Sequence, residues 1–110
     1  MSGQHKELAA GRWAQMSFIE QMANVGSEVN RALNWKSKDN HDYSRRALER
    51  ALELIDLTLD NAKGMARLKE VARMREAIVD FFAGSNQFGS TENSWRKYFL
   101  AFARAARRTT

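Results

Sequence analysis

The sequence contains no proline and no cysteine, and only two histidines in 110 residues. Without proline, the chain lacks the residue that most effectively interrupts a helix interior, so helices run until other residues stop them. Without cysteine, disulfides, thiolate nucleophiles and zinc–thiolate sites are excluded; a reducing compartment is consistent, although the same absence fits any compartment. His5 stands near the amino terminus and His41 between Asn40 and Asp42 in a loop, and there is no Gly-x-Ser-x-Gly elbow. A catalytic triad has little to draw on, and a histidine flanked by solvating residues is most simply an exposed one. Nowhere do about 18 apolar residues follow one another, as crossing a bilayer requires, and MSGQHKELAAGR has no apolar run of signal-peptide length. The expectation is a cytoplasmic protein without a membrane role.

Acidic residues are also missing from Arg96 onward, where Arg96, Lys97, Arg104, Arg107 and Arg108 stand unopposed. These five account for the whole formal charge of +5, because the other 13 basic residues are matched by 13 acidic ones. Cations in the last turns of a helix complement the negative end of its dipole, which is the plain explanation. The same cluster is also the candidate nucleic-acid surface, with Tyr98 or Trp95 able to stack on bases.

What is present is helical periodicity. From about Arg12 to Lys36, Met16, Ile19, Met22, Gly26, Val29 and Leu33 recur at three- and four-residue steps and predict one long amphipathic helix. KSKDNHD interrupts it, and Asn40 or Asp42 is placed to cap a second helix from Tyr43 to about Asn61. DNAKG stops that helix through Asn61 and Gly64, residue types that tolerate the left-handed conformation. A third helix runs from about Met65 to Ala83. GSNQFGSTENS is then too rich in turn formers to be helical, and a fourth helix starts at Ser90 or Thr91, with Trp95, Phe99, Phe102 and Ala106 on one stripe. The pattern predicts an all-α fold, an antiparallel up-down-up-down four-helix bundle. Residues 1–11 are expected to be a flexible leader, 12–107 a single domain and 108–110 a tail. Aromatic residues crowd the third and fourth helices, so the hydrophobic centre is expected where these two meet. Three tryptophans exceed what so small an interior needs, which suggests a dimer seam or partial exposure for some of them.

Polar residues offer three constellations. Glu49, Glu53 and Asp56 on the second helix, with Glu76 and Asp80 on the third, are the candidate magnesium ligands of a nucleotide hydrolase. Only Glu53 to Asp56 matches the Glu-x-x-Asp spacing of MazG-type pyrophosphatases, and arginines at helical spacing make a salt-bridged surface the simpler account. Asn24, Glu28 and Arg31, with Arg50, Asp56 and Asp80 from facing helices, are expected to form a buried polar network that sets helix register. In that same helix Ala23, Gly26 and Ser27 make a smooth patch. A mid-helix glycine costs about 1 kcal/mol relative to alanine, so Gly26 predicts a point of close helix approach.

The layout from about Arg12 to Arg107, a small basic helical bundle, resembles the HEPN-like superfamily of small prokaryotic bundles. That superfamily includes RNases, whose signature is an arginine followed four to six residues later by histidine. Here the nearest approach is Lys36 to His41, so the resemblance implies a non-catalytic relative. The preferred functional expectation is a non-enzymatic, cofactor-free protein that forms a homodimer and binds a protein partner. Its contacts are expected at Asn86, Phe88, Trp95, Lys97 and Tyr98; nucleic-acid binding and magnesium-dependent hydrolysis are the alternatives.

Overall fold

The structure, a computed structural model, describes residues 11–108. His5, the expected leader up to residue 10 and the last two tail positions lie outside the described residues. Among the described residues every regular element is an α-helix and none is a strand, so the chain is all-α. A helical stretch at 11–14 precedes four longer helices: α1 (Phe18–Ser37), α2 (His41–Asp60), α3 (Met65–Ala83) and α4 (Glu92–Arg108).

The long first helix expected from Arg12 is interrupted at residues 15–17, and the cause is a competing cap. Ser17 is extended at φ −67° and ψ 159°. Its Oγ accepts the Glu20 N–H at 3.1 Å, while Glu20 Oε1 accepts the Ser17 N–H at 3.0 Å. This capping box satisfies two donors that a continuing helix would have satisfied internally, and it makes Ser17 a start. The Ser17 N–H, and after it the Ser17 hydroxyl, hold the Glu20 carboxyl below its ordinary range. Helical residues 11–14 are then anchored to the bundle through Trp13, whose indole N–H donates to Thr58 Oγ1 at 2.9 Å and whose carbonyl accepts from Gln21 Nε2 at 2.8 Å.

The other helix ends follow local chemistry. Asn40 Oδ1 caps α2 by accepting the Tyr43 N–H at 3.1 Å, so His41, expected in a loop, is the exposed first residue of that helix. At the α2 end, Gly64 takes a φ of 94°, whereas Asn61 stays at −106° and uses its side chain to bond the Leu57 carbonyl at 2.8 Å. Thr91 and Ser94 exchange side-chain and backbone bonds at 3.0 Å and start α4.

The hydrophobic centre is displaced from the expected position. α1 packs against both α2 and α4, and α2 against α3, whereas the α3 and α4 backbones do not share a comparable contact. Met22, Val25, Val29, Ala32 and Leu33 make α1 the best-buried helix, each side chain adding about 1.5–3 kcal/mol where it is large and fully covered. The apolar face of α3, through Val71, Met74 and Ile78, is buried, and Arg75 of α3 pairs with Asp56 of α2 at 2.8 Å. Trp13 and Trp95 belong to the core, and Trp35 is the partly exposed one of the three tryptophans. Trp95 stacks on Phe99 at 6.1 Å and meets Tyr98 edge-on at 5.9 Å. Such ring clusters fill space that aliphatic residues would otherwise occupy.

Gly26 sits directly beneath Phe99 of α4. A Cβ built on Gly26 would stand 2.7 Å from Phe99 Cβ and 2.9 Å from its Cγ, distances that require α4 or its ring to move. Phe99 is 2% exposed, and its Cβ is bonded to the helix backbone, so there is little freedom to yield. Alanine would gain about 1 kcal/mol of helix propensity, whereas overpacking costs about 1–3 kcal/mol. The second effect wins. Gly26→Ala is expected to lower unfolding free energy by about 1 kcal/mol, and Gly26→Leu by more, in urea denaturation; an alanine variant more stable than the parent would show that the two helices are not so close.

Candidate functional site

Because α4 is drawn onto α1, α3 and α4 diverge and leave a groove of about 640 Å³ between them. Its α3 wall runs from Ala66 to Ala77 with Met74 at the base, and its α4 wall carries Trp95 and Tyr98. Phe88, 56% exposed, rises at the rim from the connecting loop. The lining is mostly apolar, with Lys69, Glu70 and Arg73 along the α3 edge. One polar bond spans it: Tyr98 donates its hydroxyl to Glu70 Oε2 at 2.9 Å. Burial, then this bond to a carboxylate, pushes the Tyr98 hydroxyl above its ordinary 10.0. A group whose folded pKa is raised contributes stability below its unfolded pKa and loses it as pH climbs. Stability should therefore fall above about pH 10 less steeply in Tyr98→Phe than in the parent, measured by denaturation at stepped alkaline pH; identical slopes would refute the bond.

The loop that presents Phe88 is organised by one carboxylate. Asp80 Oδ1 accepts the Gln87 N–H at 2.9 Å and Oδ2 accepts the Phe88 N–H at 3.0 Å. Its backbone carbonyl takes the N–H groups of Gly84 at 3.0 Å and Asn86 at 3.2 Å. Asn86, at a φ of 57°, closes the turn by donating to the Ser90 carbonyl and accepting the Ser90 N–H, both at 2.9 Å. Gly84 leaves only 3.1 Å between a would-be Cβ and the Asp80 Cα, so the chain doubles back tightly on its own helix end. The loop, rich in residues that usually signal irregularity, is a fixed scaffold. Asp80→Ala is expected to cost about 1–3 kcal/mol and to accelerate amide exchange at Gln87 and Phe88 far more than within α1, a pattern whose absence would refute the scaffold role.

The expected partner-contact set is only partly brought together. Phe88, Trp95 and Tyr98 line the groove; Asn86 faces inward to hold its own loop; Lys97 lies on the other side of α4, in a crevice of about 290 Å³ against α1 with Gly26, Ala23 and Ser27. Trp95 is 7% exposed, so it supports the groove as a wall more than as a projecting contact. Its indole N–H is buried without an acceptor among the described residues, a cost of about 1–3 kcal/mol that burial of the ring offsets. Periodicity marked these aromatics, but no sequence signal separated the two faces of α4.

The expected polar network does not form as a unit. Glu28 alone is buried, with Arg31 at 3.1 Å and Arg50 of α2 at 4.0 Å. Asn24 is exposed and bonds the Glu20 carbonyl at 2.8 Å, Asp56 pairs with Arg75, and Asp80 is committed to its loop. The turn spacing does set Asn24 and Glu28 on one side of α1, but only the turn at Glu28 is covered, while Asn24 one turn earlier is exposed.

The magnesium candidates are likewise dispersed. Glu49, Glu53 and Glu76 are exposed, and among the described residues no three histidine or carboxylate side chains come together. Nor do the expected arginines close on them: Arg45 turns instead to Asp42 at 3.4 Å. Exposed ion pairs yield only about 0–1 kcal/mol, too little to hold long side chains against their entropy.

Of the basic set, Arg96 is engaged by Glu92 at 2.9 Å and by Asn34 Oδ1 of α1 at 2.9 Å, which makes it part of the α1–α4 interface. Lys97, Arg104, Arg107 and Arg108 are exposed. Among the described residues no helix is long and apolar enough to cross a membrane. Compared with family models, curated proteins and solved structures, the chain finds no match in any of the three.

Proposed function

We propose that this chain is a cytoplasmic, non-enzymatic helical-bundle protein that self-associates and engages a protein partner through the groove between α3 and α4. Its four long helices, joined by short connections, suit the up-down-up-down order that such connections favour. The observation that carries the reading is the groove itself: an apolar channel with an exposed phenylalanine held at its rim by a hydrogen-bonded loop. Exposed large apolar side chains on one surface mark interaction sites, and this groove presents Phe88 at 56% exposure. A rigid mount matters because ordering a loop on binding costs about 0.5–1.5 kcal/mol per immobilised side chain. Here the Phe88 backbone N–H is already held by Asp80 Oδ2. As a HEPN-like relative the chain would be non-catalytic, since Lys36 replaces the signature arginine and leans on Phe81 at 4.5 Å while His41 opens α2 in solvent.

Nucleic-acid binding has narrower support, because Arg96 is consumed by the α1–α4 interface and Lys97 stands apart from Arg104, Arg107 and Arg108 at the far end of α4. Light scattering and sedimentation at high micromolar concentration test the preferred reading. The parent is expected to be larger than a monomer, and Phe88→Asp, at an exposed position, is expected to weaken association about tenfold or more without loss of helical circular dichroism. A strictly monomeric parent would overturn the self-association.

A further inference from the structure

On the side of α4 turned away from the groove, the crevice of about 290 Å³ against α1 has two unlike ends. The two helices run antiparallel across it, because Phe102 meets Phe18, Phe99 meets Gly26 and Arg96 meets Asn34. Asn30 of α1 therefore shares one end with Asn93, Arg96 and Lys97 of α4, while Ala23 shares the other with Leu100 and Ala103. One end is polar and cationic, the other apolar. Asn30 is the unexplained member. Asn24, Asn34, Asn40, Asn61 and Asn86 each bond a neighbour through the side chain, whereas Asn30 Oδ1 is buried and accepts nothing among the described residues. A buried acceptor left so lowers stability, and asparagine is a poor helix former, so neither packing nor propensity accounts for it. We propose that the crevice binds a small organic carboxylate that carries an apolar tail and, beside the carboxylate, a neutral hydrogen-bond donor, as an α-hydroxy acid or an N-acyl amino acid does.

Each part of such a ligand answers an observation. Lys97 is exposed and forms no ion pair among the described residues, and no acidic residue lines the crevice, so a carboxylate meets a cation that nothing neutralises. Arg96 adds its charge from a fixed position, since Asn34 and Glu92 hold its Nη2. The hydroxyl or amide N–H supplies the donor that Asn30 Oδ1 lacks. A free amino acid suits the site less well, because its ammonium would stand beside Lys97 and Arg96 with no carboxylate of the lining to receive it. The tail lies toward Ala23 and Ala103 and covers Leu100, which is 41% exposed. Small-molecule sites span about 300–1,000 Å³, so the ligand belongs at the small end of that range.

Nuclear magnetic resonance titration of the nitrogen-labelled chain tests the site, with hydroxyisocaproate, N-acetylleucine, isocaproate and leucine as probes. Amide shifts are expected to centre on Gly26, Ser27, Asn30 and Lys97. Hydroxyisocaproate or N-acetylleucine is expected to bind about tenfold more tightly than isocaproate, which lacks the donor, and than leucine, whose donor is charged. Whichever of the first two binds more tightly identifies the donor as hydroxyl or amide. Asn30→Ala is expected to abolish the preference over isocaproate. Lys97→Gln, at an exposed position, is expected to weaken hydroxyisocaproate and isocaproate alike, by about fivefold. Shifts scattered over the surface, no saturation at millimolar concentration, isocaproate or leucine binding as tightly as both donor-bearing probes, a preference that survives in Asn30→Ala, or indifference to Lys97→Gln would overturn the proposal.

Discussion

The contact of Gly26 with Phe99 determines where everything else in the molecule lies. With no Cβ at residue 26, the fourth helix reaches the backbone of the first, and its ring is 2% exposed there. Any larger residue would hold α4 away and thin the core that α1 shares with it. Helix propensity argues against the glycine, so its presence is a case of packing overriding local preference. Arg96 reinforces the same docking from the side, because it reaches Asn34 of α1 while paired with Glu92 of its own helix.

A helix has one dominant apolar stripe, and α4 spends most of its stripe on α1. What remains toward α3 is a ring edge and a hydroxyl rather than a packed seam. Tyr98 reaches across to Glu70, and Trp95 forms the α4 wall. The groove is thus a consequence of the arrangement of the core, and the Asp80 loop turns it into a defined surface by fixing Phe88 at its rim. Two hydrogen-bonding ends on one carboxylate achieve what a proline-rich or disulfide-bound loop achieves in other chains.

Much of the helical layout was legible because apolar periodicity and caps are local. Asn40 before α2, Gly64 after it and Thr91 before α4 all act within a few residues of themselves. The Ser17 and Glu20 box was equally local, yet the apolar periodicity from Met16 to Leu33 masked it. Pairings between helices were less legible. Aromatic density in α3 and α4 suggested that these two meet, but density does not say which faces turn together, and a glycine on α1 decided the matter. The candidate site shows the same division. Phe88, Trp95 and Tyr98 were visible as aromatics near a turn, whereas helical spacing makes Asp80 read as a magnesium ligand or a member of the polar network, because its partners are backbone amides seven and eight residues on.

Charges divide along the same line between those bound by the fold and those left for solution. Glu28 is packed between Arg31 and Arg50, where removing either cation would leave a carboxylate facing its desolvation penalty with less compensation. Arg75 and Asp56 join α3 to α2. By contrast, Lys69, Glu70 and Arg73 stand along the α3 edge of the groove. Isolated on a monomer, such charges contribute little, since water screens them and their side chains keep their entropy. Held against an apolar wall by a second molecule, they would be partly desolvated and their signs would matter, so the face that does least for the single chain is the one best suited to selecting a partner.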